Sequence, residues 1–173
     1  MPTEPTASLV KNANRVTATF ALYFSLDDKD RRADTASFLS LISDLSLIAA
    51  AQEILTVIGH HLVERATDFV LDHSVAGCEA LKRKFISTIR ADKAGQRPEY
   101  APSSKDADQM TQLVELATEA LRYSPRAEVA SALSASEIAI KTLVRTELKV
   151  SEAKAGEYAV AIAHEFKMTV KKK

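Results

Sequence analysis

Apolar residues recur at steps of three and four along most of this chain, the period that gathers them on one face of a helix. The first such run is Leu9, Ala13, Val16, Phe20, Tyr23 and Phe24. It predicts a helix from about Ala7, after a loose Pro- and Thr-rich segment 1–6. The charged run LDDKDRR then ends that helix as a solvated turn. A longer run follows: Phe38, Leu41, Ile42, Leu45, Ile48, Leu55, Ile58, Leu62, Val63, Ala66, Phe69 and Val70. Gly59 sits inside it, beside His60 and His61. Glycine costs a helix interior about 1 kcal/mol against alanine, so the pattern predicts a kink or a break there. Asp72 and Ser74 read as a stop and a cap, with a further helix over roughly 75–90.

The stretch 92–104 is the one clear loop, because Gly95, Pro98 and Pro102 block a continuous helix. FISTIRA, just before it, is rich enough in β-branched residues that a short β-hairpin near 85–102 is the alternative. Ser103 or Ser104, with Asp106 behind, caps the next helix, which runs to about Tyr123 on Met110, Leu113, Val114, Ala117 and Leu121. Ser124-Pro125 restarts the chain with Pro at the first helical position. Ser134 and Glu137 have capping-box spacing, which leaves 126–150 open between one helix and two. Ser151 caps a last helix, whose stripe is Tyr158, Ile162, Phe166 and Val170 with Ala155, Ala159 and Ala163 beside it. The expectation is an all-α fold: a single-domain multi-helix bundle over 1–173, of six to seven helices, with a basic tail at 171–173.

Composition agrees with that pattern. Only 4 of the 173 residues are Gly and 5 are Pro, while 46% are apolar and 27% charged, the balance of a helical globular chain. One cysteine, Cys78, allows no intramolecular disulfide and fits a reducing compartment. The start of the chain has no basic segment leading into an apolar one, so no signal peptide is expected. The longest apolar stretch, around LSLIAAAQEIL, is interrupted by Gln52 and Glu53 and reads as too short for a membrane span. A soluble, cytoplasmic protein without membrane contact is expected.

Several chemistries lack their residues. The glycines stand alone, so there is no phosphate-cradling loop and no dinucleotide fingerprint. Zinc-finger spacing needs more than one cysteine. His60 and Glu64 share a helix face four residues apart, yet no Glu-x-x-His pair of a carboxylate di-metal bundle occurs, so a His beside a glycine kink is the plainer reading. Cys78 has no evident base and reads as a small buried hydrophobe. No metal, no cofactor and no catalytic residue is expected.

Charge is what remains. The chain is neutral, but residues 1–81 carry six Lys/Arg against eleven Asp/Glu, and residues 82–173 carry seventeen against twelve, so the halves stand at −5 and +5. The basic half holds three clusters: Lys82, Arg83, Lys84 and Arg90; Lys141, Arg145 and Lys149; and Lys167 with Lys171 and the tail, while Arg97 lies near Tyr100 in the loop. Cations four residues apart on a helix repeat every ~6 Å, close to the spacing of phosphates along a strand. Trp is absent and aromatic residues are sparse near the cations, so any nucleic-acid contact would read backbone and not sequence. The expected function is a non-enzymatic helical subunit of a larger assembly. Its basic helix faces would hold the backbone of RNA or single-stranded DNA, or an acidic protein surface, with copies of itself or other subunits as neighbours. In size, helical class and charge the chain is similar to the small helical subunits of ribonucleoprotein complexes, CRISPR effectors among them, though no motif carries that likeness. The alternative is a helical protein-interaction or regulatory module that touches no nucleic acid.

Overall fold

The computed structural model describes residues 35–62, 68–93 and 102–171. The expected helix over Ala7–Phe24 and the loop residues 94–101 lie outside the described residues. Among the described residues there are five α-helices: α1 (Thr35–Ile58), α2 (Asp68–Lys93), α3 (Ser104–Tyr123), α4 (Arg126–Leu148) and α5 (Glu152–Lys171). A short 3-10 turn, Gly59–His61, follows α1. No strand occurs among the described residues, and the 85–93 part of the expected hairpin is the end of α2.

α1 is the centre of the fold. It packs on α4, α2 and α3, and its sequence explains why. From Thr35 to Ile58 there is no Gly or Pro, and apolar residues occur on every side of the helix, the signature of a helix buried over most of its surface. Leu41, Ile42, Leu45, Leu47, Ile48, Ile54, Leu55 and Ile58 are all fully buried. By length and composition Leu41–His61 suffices to cross a membrane, with mean hydropathy 1.7, contrary to the expectation of a stretch too short. Gln52 and Glu53 do not divide it, because a single polar turn leaves the average high. In this fold 83% of that window is buried by the other helices.

The polar residues inside α1 are accommodated. The Ser46 hydroxyl donates to the Ile42 carbonyl at 2.7 Å. The Gln52 amide donates to the Glu79 carboxylate and accepts from Lys82 Nζ at 2.8 Å. Each half of the amide is satisfied, which a largely buried polar group requires.

Side-chain contacts tie the helices to one another. Gln52, in the second half of α1, meets Glu79 and Lys82 on α2. Lys84 on α2 pairs with Asp106 at the start of α3 (2.7 Å). A Cβ on Gly77 would lie 3.0 Å from the side-chain Nε2 of Gln109 on α3, so that amide sits against the glycine. His61, just past α1, meets Glu128 in the first turn of α4. Lys141 on α4 pairs with Glu152 at the start of α5 (2.9 Å).

The breaks have local causes. α1 stops at Ile58 and the Leu62 N–H closes the 3-10 turn onto the Gly59 carbonyl (3.2 Å), so the glycine marks a break and not a kink. Ser103 caps α3 by accepting from the Asp106 N–H (3.1 Å). Pro125 is the residue before α4 rather than its first, and its carbonyl accepts the first bond, from Val129 (3.0 Å). Ser151 caps α5 through the Lys154 N–H (3.3 Å).

Two expected boundaries are absent. α2 begins at Asp68 and runs through Asp72 and Ser74 without a stop, and through Gly77 beyond them. α4 runs unbroken past Ser134 and Glu137. Its buried stripe Ala132, Ser136, Ile140 and Val144 crosses the capping-box spacing, so packing holds one helix where the local signal allowed two.

Asp106 ties α2 to α3. The hydrogen bond from Lys84, then the contact with Ser103, hold its carboxyl below the usual carboxylate range. A depressed carboxyl stabilises the fold above its ordinary pKa and loses that contribution as pH falls through the lowered value. Asp106→Asn should therefore cost about 1 kcal/mol in urea unfolding at pH 7. The gap from the wild type should close as pH falls from about 4 toward 2. A gap that stays constant with pH would assign the cost to something other than the charge.

Candidate functional site

The basic residues are spread over the molecule. Lys82 is engaged by Gln52 and lies 3.6 Å from Glu79. Arg83 donates to the Glu79 carbonyl. Lys84 is held by Asp106, and Arg90 is exposed on the same helix. Arg97 lies outside the described residues. Lys167 and Lys171 are exposed near the C-terminal end of α5, about 25 Å along the helix from its first turn.

The second cluster is not three turns of one helix. α4 ends at Leu148, and Lys149 takes a left-handed conformation (φ 56°) with its N–H on the Arg145 carbonyl (3.0 Å). A side-chain-bearing residue closes the helix where glycine is usual, at a cost of roughly 1–2 kcal/mol. Lys141 bonds Glu152. That bond first, then the charges of Lys141 and Arg145, hold the Glu152 carboxyl below its ordinary range. Arg145 and Lys149 remain exposed at the α4–α5 corner.

Among the described residues, ion pairs occur both within the basic half and between the halves. Lys84 with Asp106 and Lys141 with Glu152 each join two residues of the basic half. Lys82 reaches back to Glu79 in the acidic half.

α4 presents a surface of a different kind. Between Ala127 and Thr142 its exposed positions are Ala127, Ala130, Ser131, Ser134, Ile138 and Thr142, with no charge among them. Ile138 is 64% exposed at the middle of this strip. Charged side chains flank the strip at half-buried positions, among them Glu128, Glu137 and Lys141. Nothing in the residue pattern alone separates this face from the buried one, since both are rich in Ala and Ser.

Cys78 is buried in the core between α1 and the outer helices. Burial pushes its thiol up to about 12, against the pull of Lys82, so it is a protonated packing group near neutral pH.

The 3-10 turn holds the remaining candidate chemistry. The His60 and His61 rings stack at a tilt, centroids 4.1 Å apart. His61 Nε2 lies in ion-pair contact with Glu128 Oε2 from α4. Glu64, paired with His60 in the sequence reading, lies outside the described residues. The acid that the fold brings to the histidines is Glu128, far along the chain, and no sequence spacing marks it.

No family model matches the chain, and neither a curated protein nor a solved structure matches it.

Proposed function

We propose that this chain is a non-enzymatic helical subunit that docks onto a helix of a larger assembly through the outer face of α4. The uncharged strip from Ala127 to Thr142 carries the reading. Solvent-facing helix positions normally carry charge, and this chain has charge to spare, 27% of its residues. Small residues around one protruding apolar side chain let a second helix approach closely, with Ile138 as the anchor.

A second reading, contact with a nucleic-acid backbone, is favoured by Arg145 and Lys149, which stand exposed together at the corner that follows the strip. The pairing of Lys82, Lys84 and Lys141 within the fold subtracts from it, because a cation held by an acid releases fewer counterions on binding.

Ile138→Arg tests the first reading. In gel filtration of the native extract, the wild-type chain should elute in a complex well above its own mass. The variant should elute as the single chain, with its unfolding midpoint unchanged. A wild-type chain that elutes alone, or a variant that stays in the complex, contradicts the reading.

Fluorescence anisotropy with a labelled single strand of 30 nucleotides tests the second. Backbone binding should weaken steeply with salt, and Arg145→Glu with Lys149→Glu should lower the log–log slope by about 2. Binding that these reversals leave unchanged places the contact elsewhere.

A further inference from the structure

We infer that His60, His61 and Glu128 form a binding site for a divalent transition-metal ion of the zinc class. The inference is independent of the docking surface on α4. The donor atoms of the three side chains lie within 4.8 Å of one another. Two imidazoles and one carboxylate are a donor set that zinc accepts, with three protein ligands and water at a fourth position.

The site is assembled by the fold. Gly59 breaks α1, and in the 3-10 turn that follows the two consecutive imidazoles turn toward each other, ring centroids 4.1 Å apart. Leu62, 2% exposed, anchors the far side of the turn in the core. Glu128 is presented from the first turn of α4, which Pro125 starts. Both elements are fixed by packing before any ion arrives, which is what a preorganised site requires.

Two atoms at the centre have no other use. His61 Nε2 and Glu128 Oε2 face each other away from solvent, and neither has a further hydrogen-bond partner. His60 is exposed at the rim, so an ion can enter from that side. Zinc–nitrogen bonds of ~2.0–2.1 Å in tetrahedral geometry place donors ~3.3 Å apart. His60 would swing inward and the His61–Glu128 pair would open slightly, both within side-chain rotation. The bound ion would tie the end of α1 to the start of α4.

The test is calorimetric titration of Zn²⁺ into the full chain. One ion should bind per chain, and His60→Ala, His61→Ala and Glu128→Gln should each weaken it at least tenfold. Zn²⁺ should also raise the wild-type unfolding midpoint and leave that of Glu128→Gln in place. Co²⁺ in place of Zn²⁺ should give the intense visible bands of a four-coordinate site. His60 is exposed, so His60→Ala keeps the test valid if either other variant fails to fold. Absence of saturable binding overturns the inference. So does binding that all three substitutions leave intact, and His61 with Glu128 is then a simple charge-assisted contact.

Discussion

The fold depends on burying the middle of one helix, residues 41–51 of α1, on all sides. α1 has no polar face, so no single neighbour can shelter it, and a helix so apolar must be surrounded. α2, α3 and α4 do so directly, and α5 completes the wall by packing on α4 and α3. Each of the outer helices needs only one apolar stripe, because each covers one sector of α1. Truncating a fully buried leucine or isoleucine costs about 2–5 kcal/mol where neighbours cannot collapse into the cavity. Several such residues lie along α1, so the centre outweighs any surface tie in the molecule.

That arrangement decides where polar groups sit. Gln52 is tolerated inside because Glu79 and Lys82 engage both ends of its amide. Cations that the sequence groups into clusters are partly consumed in holding helix to helix, as Lys84 does with Asp106 and Lys141 with Glu152. The outer surface of α4, by contrast, carries little that the fold itself uses. The same frame brings the end of α1 to the start of α4, and so sets Glu128 against the two histidines.

The helical class, most caps and the core stripes were legible in the sequence, because they follow from local period and local chemistry. Ser103, Pro125, Ser151 and the break at Gly59 act within a turn or two of themselves. The stops read at Asp72–Ser74 and at Ser134–Glu137 were local signals that the helices run through, the second because a buried stripe continues across it. The row Lys141, Arg145 and Lys149 read as even because helix geometry was extended one residue too far. Lys149 leaves the helix in a left-handed conformation that nothing short of the fold reveals. Glu128 was invisible for a different reason: its partner is 67 positions away, and only the packing of α4 on α1 joins them.

The central claim is that α1 is the last element to open. Native-state hydrogen exchange measures this directly, as the exchange of amides from Leu41 to Ile58 followed across low denaturant concentrations. The account predicts that these amides exchange only through global unfolding, with the full unfolding free energy and the full denaturant dependence. Amides of α1 that exchange through a smaller opening, while those of α4 and α5 stay protected, would contradict it.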